Sequence, residues 1–109
     1  MYKRQRLRRR TQARLRSLAL HDRLTGLPNR DLFTDRLRGA LARTRRDPSR
    51  RAAVLFCDFD RFKLINDSLG HDVGDALLVS IAGRFLKGIR ECDTAARFGG
   101  DEFLSLIHI

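Results

Sequence analysis

The clearest pattern in the chain lies between residues 71 and 89. There Leu77, Leu78, Ile81, Ala82, Phe85, Leu86 and Ile89 recur at the spacing of one helix face. Gly83 interrupts that helix, costs some stability there and points to close packing against a sheet. Upstream, "RFKLINDSLGHDVGD" reads as a short helix followed by a glycine-bounded loop. "AAVLFCDFD" (52–60) is short, continuously apolar and rich in Val and Phe, which predicts a strand buried on both faces. A second amphipathic helix is predicted over 31–45, burying Leu32, Phe33, Leu37, Ala40 and Leu41, with Asn29 or Asp31 as its cap. Gly26 and Pro28 punctuate the turn before it, and Pro48 breaks the polar loop after it. At the far end "TAARF" and "FLSLIHI" read as two strands joined by "GGDE", a hairpin with a four-residue turn. The predicted order is helix, strand, helix, helix, strand, strand.

A further helix is predicted at 5–20, with Leu7, Leu15 and Leu18 near one side and arginines elsewhere. Eight of the ten net positive charges sit in residues 1–16, which contain no acid, so the remainder of the chain is close to neutral. Three readings fit that arm. A solvated linker helix feeding a domain at 21–109 leads, and a juxtamembrane segment below a membrane helix or sensor domain comes second. A nucleic-acid arm comes last, because Tyr2 is its only aromatic and no recognition motif surrounds it. At 109 residues the chain has room for one small core. No apolar run is long enough to cross a bilayer and no apolar stretch follows the basic start, so the cytoplasm is the expected location. Cys57 and Cys92 lack metal-ligand spacing and are expected to be buried thiols.

The chemistry concentrates in acids at strand ends. With the "CDFD" and "RFGG" strands as neighbours in one sheet, Asp58 and Asp101 face each other across a small gap. Two carboxylates brought together repel unless a proton or a cation lies between them. Hard oxygen ligands suit Mg²⁺, which completes its shell with water and substrate phosphates, the arrangement used in two-metal phosphoryl and nucleotidyl transfer. Gly99 and Gly100 permit positive φ and let a bulky ligand approach the backbone. An ordinary hairpin with solvated acids accounts for "GGDE" taken alone. His71 could join Asp72 or Asp75 in a metal cluster, but a loop histidine making structural contacts is the reading preferred. Ser68 and Ser80 lack a nearby base, His21-Asp22 has no further ligand histidine, and there is no Walker-type loop.

Three stretches change that balance: "DRLTGLPNR" at 22–30, "FCDFDRFKLINDSLGHDVGD" at 56–75 and "ARFGGDEF" at 96–103. In order and spacing they resemble the GGDEF family of diguanylate cyclase domains, over roughly residues 20–103. The resemblance implies an α+β fold with an antiparallel central sheet flanked by helices, of the polymerase-palm, ferredoxin-like kind. It implies that Asp58, Asp101 and the Phe59 carbonyl hold two Mg²⁺ ions, for which Mn²⁺ can substitute. Asn66 and Asp75 would bind guanine, amides near Phe62 and Lys63 with the Lys63 charge would hold the GTP phosphates, and Gly99 and Gly100 would leave room for the nucleotide. Asp101, supported by Glu102, would activate the attacking 3′-hydroxyl, and two GTP would become cyclic di-GMP and two pyrophosphates. Each domain holds one GTP, so a homodimer is required. Arg90 and Asp93 match the family's RxxD product-inhibition site, although a helix-end arginine beside a loop aspartate explains that short pattern in isolation. A non-catalytic module binding GTP or cyclic di-GMP is the alternative function; neighbouring domains, a phosphodiesterase among them, are not legible here.

The family's domain continues past its signature hairpin, so the resemblance covers its first half. "MYKRQ" and "LSLIHI" also resemble translated sequencing-adaptor sequence, while "LSLIHI" fits an ordinary strand. The isolated chain is expected to be unstable and inactive.

Overall fold

A computed structural model describes residues 19–109. The arginine-rich helix expected at 5–20 lies outside the described residues except for its last two positions. The described elements are α1 (Arg30–Arg46), β1 (Ala52–Asp58), α2 (Phe62–Leu69), α3 (His71–Gly88), β2 (Thr94–Gly99) and β3 (Glu102–His108). The element order matches the expectation, and the fold is α+β around a three-stranded antiparallel sheet.

Local chemistry sets the boundaries. Asn29 caps α1, its side chain accepting from the Leu32 N–H at 3.1 Å. Asp31 in the first turn and Arg43, Arg45 and Arg46 in the last complement the helix dipole. Asp47 ends the helix and accepts from the Ser49 backbone and hydroxyl at 3.1 and 2.6 Å, closing the turn into β1. Between α2 and α3 the expected loop shrinks to Gly70 alone, so His71 is a helical residue.

β3 is the central strand, with β1 on one side and β2 on the other. "CDFD" and "RFGG" are therefore not neighbours, because the strand after the glycine turn folds back between them. Alternation along β3 serves both layers. Phe103 joins Leu27, Phe62, Leu78, Ala82 and Ala95 in a core beneath α2 and α3. Leu104 and Leu106 join Phe33, Ala40 and Ala96 beneath α1. Phe103 is fully buried, stacked on Phe85 at 5.5 Å and edge-on to Phe59 at 5.4 Å, and burying such a ring is worth about 2–3 kcal/mol.

Several burial expectations fail, each for a spatial reason. β1 is an edge strand among the described residues, and Val54, Leu55 and Phe56 remain 46%, 53% and 59% exposed. Its outer edge is unpaired there, and its faces are covered only in part, by α1 and by the packing of Cys57 against the core. Leu41 and Leu86 fall just outside the arcs of α1 and α3 that meet the sheet. Nothing lies within 4 Å of a Cβ built at Gly83, so the close approach is elsewhere. Cys57 is half-buried at the edge strand and Cys92 exposed in a turn, both as free thiols.

Candidate active site

The acidic pair forms at the junction of β1 and β3. Asp58 ends β1 and lies opposite Glu102 in the register, while Asp101 sits in the turn immediately before β3. The hairpin turn is tighter than the expected four residues. Gly99 ends β2, Glu102 opens β3, and the register shifts between Arg97 and Gly99, which leaves Phe98 as a bulge. Gly99 and Gly100 have φ of +133° and +51°, and a Cβ at either would meet nothing within 4 Å. Backbone conformation therefore demands glycine here, and the space beside the turn is open.

The Asp58 carboxyl is raised above the usual carboxylate range by its hydrogen bond to the Asp101 carboxyl and by the Asp101 charge. Burial and the Glu102 charge add to the rise, and the Phe59 N–H opposes it. The pair thus attracts positive charge. It supplies two hard oxygen donors with no third His, Cys, Asp or Glu gathered into a metal cluster among the described residues. That donor set fits Mg²⁺, whose remaining positions go to water and phosphate oxygens.

The Phe59 ring packs against Phe103, anchoring the backbone that leaves β1. Arg61 follows at φ +66° and turns the chain into α2. A non-glycine residue in that region costs roughly 1–3 kcal/mol, a strain that sequence reading did not detect. Phe62 is buried and Lys63 exposed in the first turn of α2, whose leading N–H groups have no intrahelical acceptor. Asn66 lies one turn later. Its Oδ1 is buried without a donor, and the carboxamide fills the space where a Cβ of Gly74 would be. Gly74, not Gly83, is the close-packing glycine, and Asp75 follows it, exposed, in α3.

Arg90 and Asp93 occupy the other end of β3. Asp93 is buried, accepting from the Arg90 N–H and the His108 N–H at 3.1 and 3.0 Å and pairing with the Arg90 guanidinium at 3.3 Å. Arg90 also donates to the His108 carbonyl. The two side chains therefore hold each other and close the sheet end. A cleft of about 510 Å³ beside them is lined by Arg43, Arg50, Arg51, Arg90 and His108.

The Asp93 carboxyl lies at about 2, lowered by the His108 N–H against the opposing effect of burial, and lowered further by the Arg90 backbone, side chain and charge. A carboxyl depressed in the folded state contributes stability that is fully present above its unfolded pKa near 3.8. That stability is lost as pH falls toward 2. Urea midpoints are therefore expected to drop between pH 4 and pH 2 more steeply in the wild type than in Asp93→Ala.

Sequence reading also passed over Asp22, Thr25 and Arg97. Thr25 donates its N–H and hydroxyl to Asp22 at 2.8 and 2.7 Å, and Arg97 pairs with the same carboxylate at 2.9 Å. Burial pushes the Asp22 carboxyl up, but these donors outweigh it and the net shift is downward. The Asp-x-x-Thr spacing signals such a turn, whereas nothing in the sequence announces a partner 75 residues away. Among the described residues no helix is long and apolar enough to cross a membrane.

The diguanylate cyclase GGDEF-domain family matches residues 19–108, and the chain belongs to that family. The bifunctional diguanylate cyclase/cyclic di-GMP phosphodiesterase MucR of Pseudomonas aeruginosa is 56% identical over 90 residues, 83% of this chain and 13% of MucR. The solved GGDEF domain of TpbB from the same organism is 53% identical, with a TM-score of 0.76 over 80% of this chain and 50% of that one. The coiled coil and GGDEF domain of DgcB from Caulobacter crescentus, solved in complex with c-di-GMP, is 31% identical. Its TM-score is 0.86 over 98% of this chain and 55% of that one. The chain thus spans about half the length of these solved relatives.

Proposed function

We propose that the gene product carrying this chain is a diguanylate cyclase that condenses two GTP into cyclic di-GMP with release of two pyrophosphates. The observation that carries this reading is the Asp58–Asp101 carboxyl pair, brought together by the β1–β3 register beside an open glycine turn. Asp58, Asp101 and the Phe59 carbonyl would hold two Mg²⁺ ions. Bound there, the ions supply charge neutralisation at the α-phosphate and acidify the attacking hydroxyl.

The chain's own residues do the rest. The free amides at the start of α2, near Phe62 and Lys63, face the triphosphate with the Lys63 charge. Asn66 and Asp75 offer amide and carboxylate groups to the guanine edge. Gly99 and Gly100 leave space for the nucleotide. Asp101, supported by Glu102, accepts the proton as the ribose 3′-oxygen bonds to the α-phosphorus of a second GTP. The bond from that phosphorus to the bridging oxygen breaks, and pyrophosphate leaves. One GTP per domain requires two domains face to face, so a homodimer is the catalytic unit. Arg90 and Asp93 would bind the product as an inhibitor, a role that the basic cleft beside them supports.

The chain on its own is proposed to be inactive, since bare β1 and half a domain's length leave the sheet's edge unpaired. Incubating the complete gene product with GTP and Mg²⁺ tests the function. Cyclic di-GMP and pyrophosphate in a 1:2 ratio are expected, and GTP or product binding without turnover would leave a regulatory module instead. Comparable turnover by the purified 109-residue chain would overturn the proposed inactivity.

A further inference from the structure

The Gly99–Gly100 turn has a weakness that its sequence does not repair. Glycine backbones lose the most freedom on ordering, yet Asp101 must stand at a fixed place beside Asp58. The constraint comes from Arg97. Its Nε donates to the Gly100 carbonyl at 2.9 Å. That carbonyl belongs to the peptide plane whose nitrogen is the Asp101 N–H, so holding it sets the direction in which Asp101 leaves the turn. Its Nη1 donates to both Asp22 oxygens at 2.9 and 3.1 Å, and its backbone N–H to the Pro28 carbonyl at 3.0 Å. Neither side chain is much exposed, 12% for Arg97 and 16% for Asp22. On the next residue, Phe98 packs edge-on against Phe33 at 5.5 Å beneath Arg30, so the bulge is gripped from two directions.

The Asp22 end is equally well tied. Asp22 is closed into a small ring by Thr25, by the Gly26 N–H on its carbonyl at 2.9 Å, and by its own N–H on the Leu27 carbonyl at 2.7 Å. Asn29 donates to the Ala19 and Leu20 carbonyls at 2.7 and 2.9 Å. Hydrogen bonds, together with the short backbone from Leu27 to Asn29, therefore link residues 19–20 to Asp22, Arg97 and the turn.

We propose that Arg97 is a positioning residue whose forked guanidinium fixes the Gly100–Asp101 peptide against Asp22, so that displacement of the segment entering at residue 19 is felt at Asp101. The proposal rests on the cyclase reading for its functional meaning. The planar fork presents separate nitrogens to the carboxylate and the carbonyl at a fixed spacing, which the compact ammonium of lysine does not reproduce.

The test uses the complete gene product as wild type, Arg97→Lys and Asp22→Asn, without GTP. It reads Mn²⁺ affinity, amide exchange and melting temperature. Arg97→Lys is expected to weaken Mn²⁺ binding about tenfold, as for loss of a charge-assisted hydrogen bond. Exchange at Asp101 and Glu102 should rise by at least about tenfold, while Leu104 and Leu106 keep wild-type protection. Wild-type Mn²⁺ affinity with unchanged turn exchange overturns the proposal. So does a uniform rise in exchange along β2 and β3 with unaltered Mn²⁺ affinity, the mark of a purely structural pair. If Arg97→Lys does not fold, Asp22→Asn must show the same localised pattern. Because no readout requires turnover, a wild type that makes no cyclic product would sink the cyclase reading and leave this inference decidable. Failure of Mn²⁺ to bind the wild type would leave the exchange pattern to decide it alone.

Discussion

Replacing Asp101 with alanine in the complete gene product is expected to lower cyclic di-GMP formation by roughly a thousandfold while leaving the fold intact. Under the proposed function Asp101 has two roles at once, as one of two carboxylates facing the cation and as the acceptor of the hydroxyl proton. Its removal takes away several kcal/mol of transition-state stabilisation, each 1.36 kcal/mol being tenfold in rate. Stability should not suffer. Asp101 lies in a turn, and its carboxyl raises the Asp58 proton affinity by its hydrogen bond and by its charge, so alanine removes a like charge from beside Asp58. Product measured by chromatography beside a melting curve checks both statements. A variant that melts normally and still makes product at the wild-type rate would refute the catalytic assignment. A module that only senses product at Arg90 and Asp93 would keep its response to added cyclic di-GMP.

The second large effect is expected at Gly74, where two elementary arguments point in opposite directions. As a helix-interior glycine, its replacement by alanine should stabilise α3 by about 1 kcal/mol. The new Cβ, however, would overlap the Asn66 carboxamide oxygen and lie 2.9 Å from its Cγ. The side chain must yield, because the helix backbone cannot. Moving it also frees a buried acceptor that has no donor, which removes a penalty of about 1–3 kcal/mol. Gly74→Ala is therefore expected to melt no lower than the wild type. If Asn66 serves the guanine edge as proposed, its displacement should raise KM for GTP about tenfold or more, and preference for GTP over ATP should shrink. A fall in melting temperature with unchanged KM would show that Asn66 does not serve the base.

What could be read in advance divides along physical lines. Element order was legible because helical and strand periodicities are local, and the acids at 58 and 101 stood out because they follow strands. β1 was misjudged because Val54, Leu55 and Phe56 look the same in sequence whether a strand is sandwiched or lies at an edge. Gly74 reads as part of a loop and Gly83 as part of a helix, whereas both lie in α3, and only the position of Asn66 distinguishes them. The pairing of Asp22 with Arg97 joins residues 75 apart. The return of β3 between β1 and β2 is likewise a choice of topology, on which local patterning is silent.

The register of β1 on β3 has a consequence for how misfolding would be noticed. A slip of one residue turns every side chain to the wrong face and is rejected by the core. A slip of two keeps each residue on its own face, so apolar burial scarcely objects. It would nevertheless carry Asp58 about 7 Å along the sheet, away from Asp101 and from its partner Glu102. The hydrophobic interior thus tolerates an error that the acidic pair does not. Specific activity per folded molecule is then a gauge of strand alignment, finer than any melting curve.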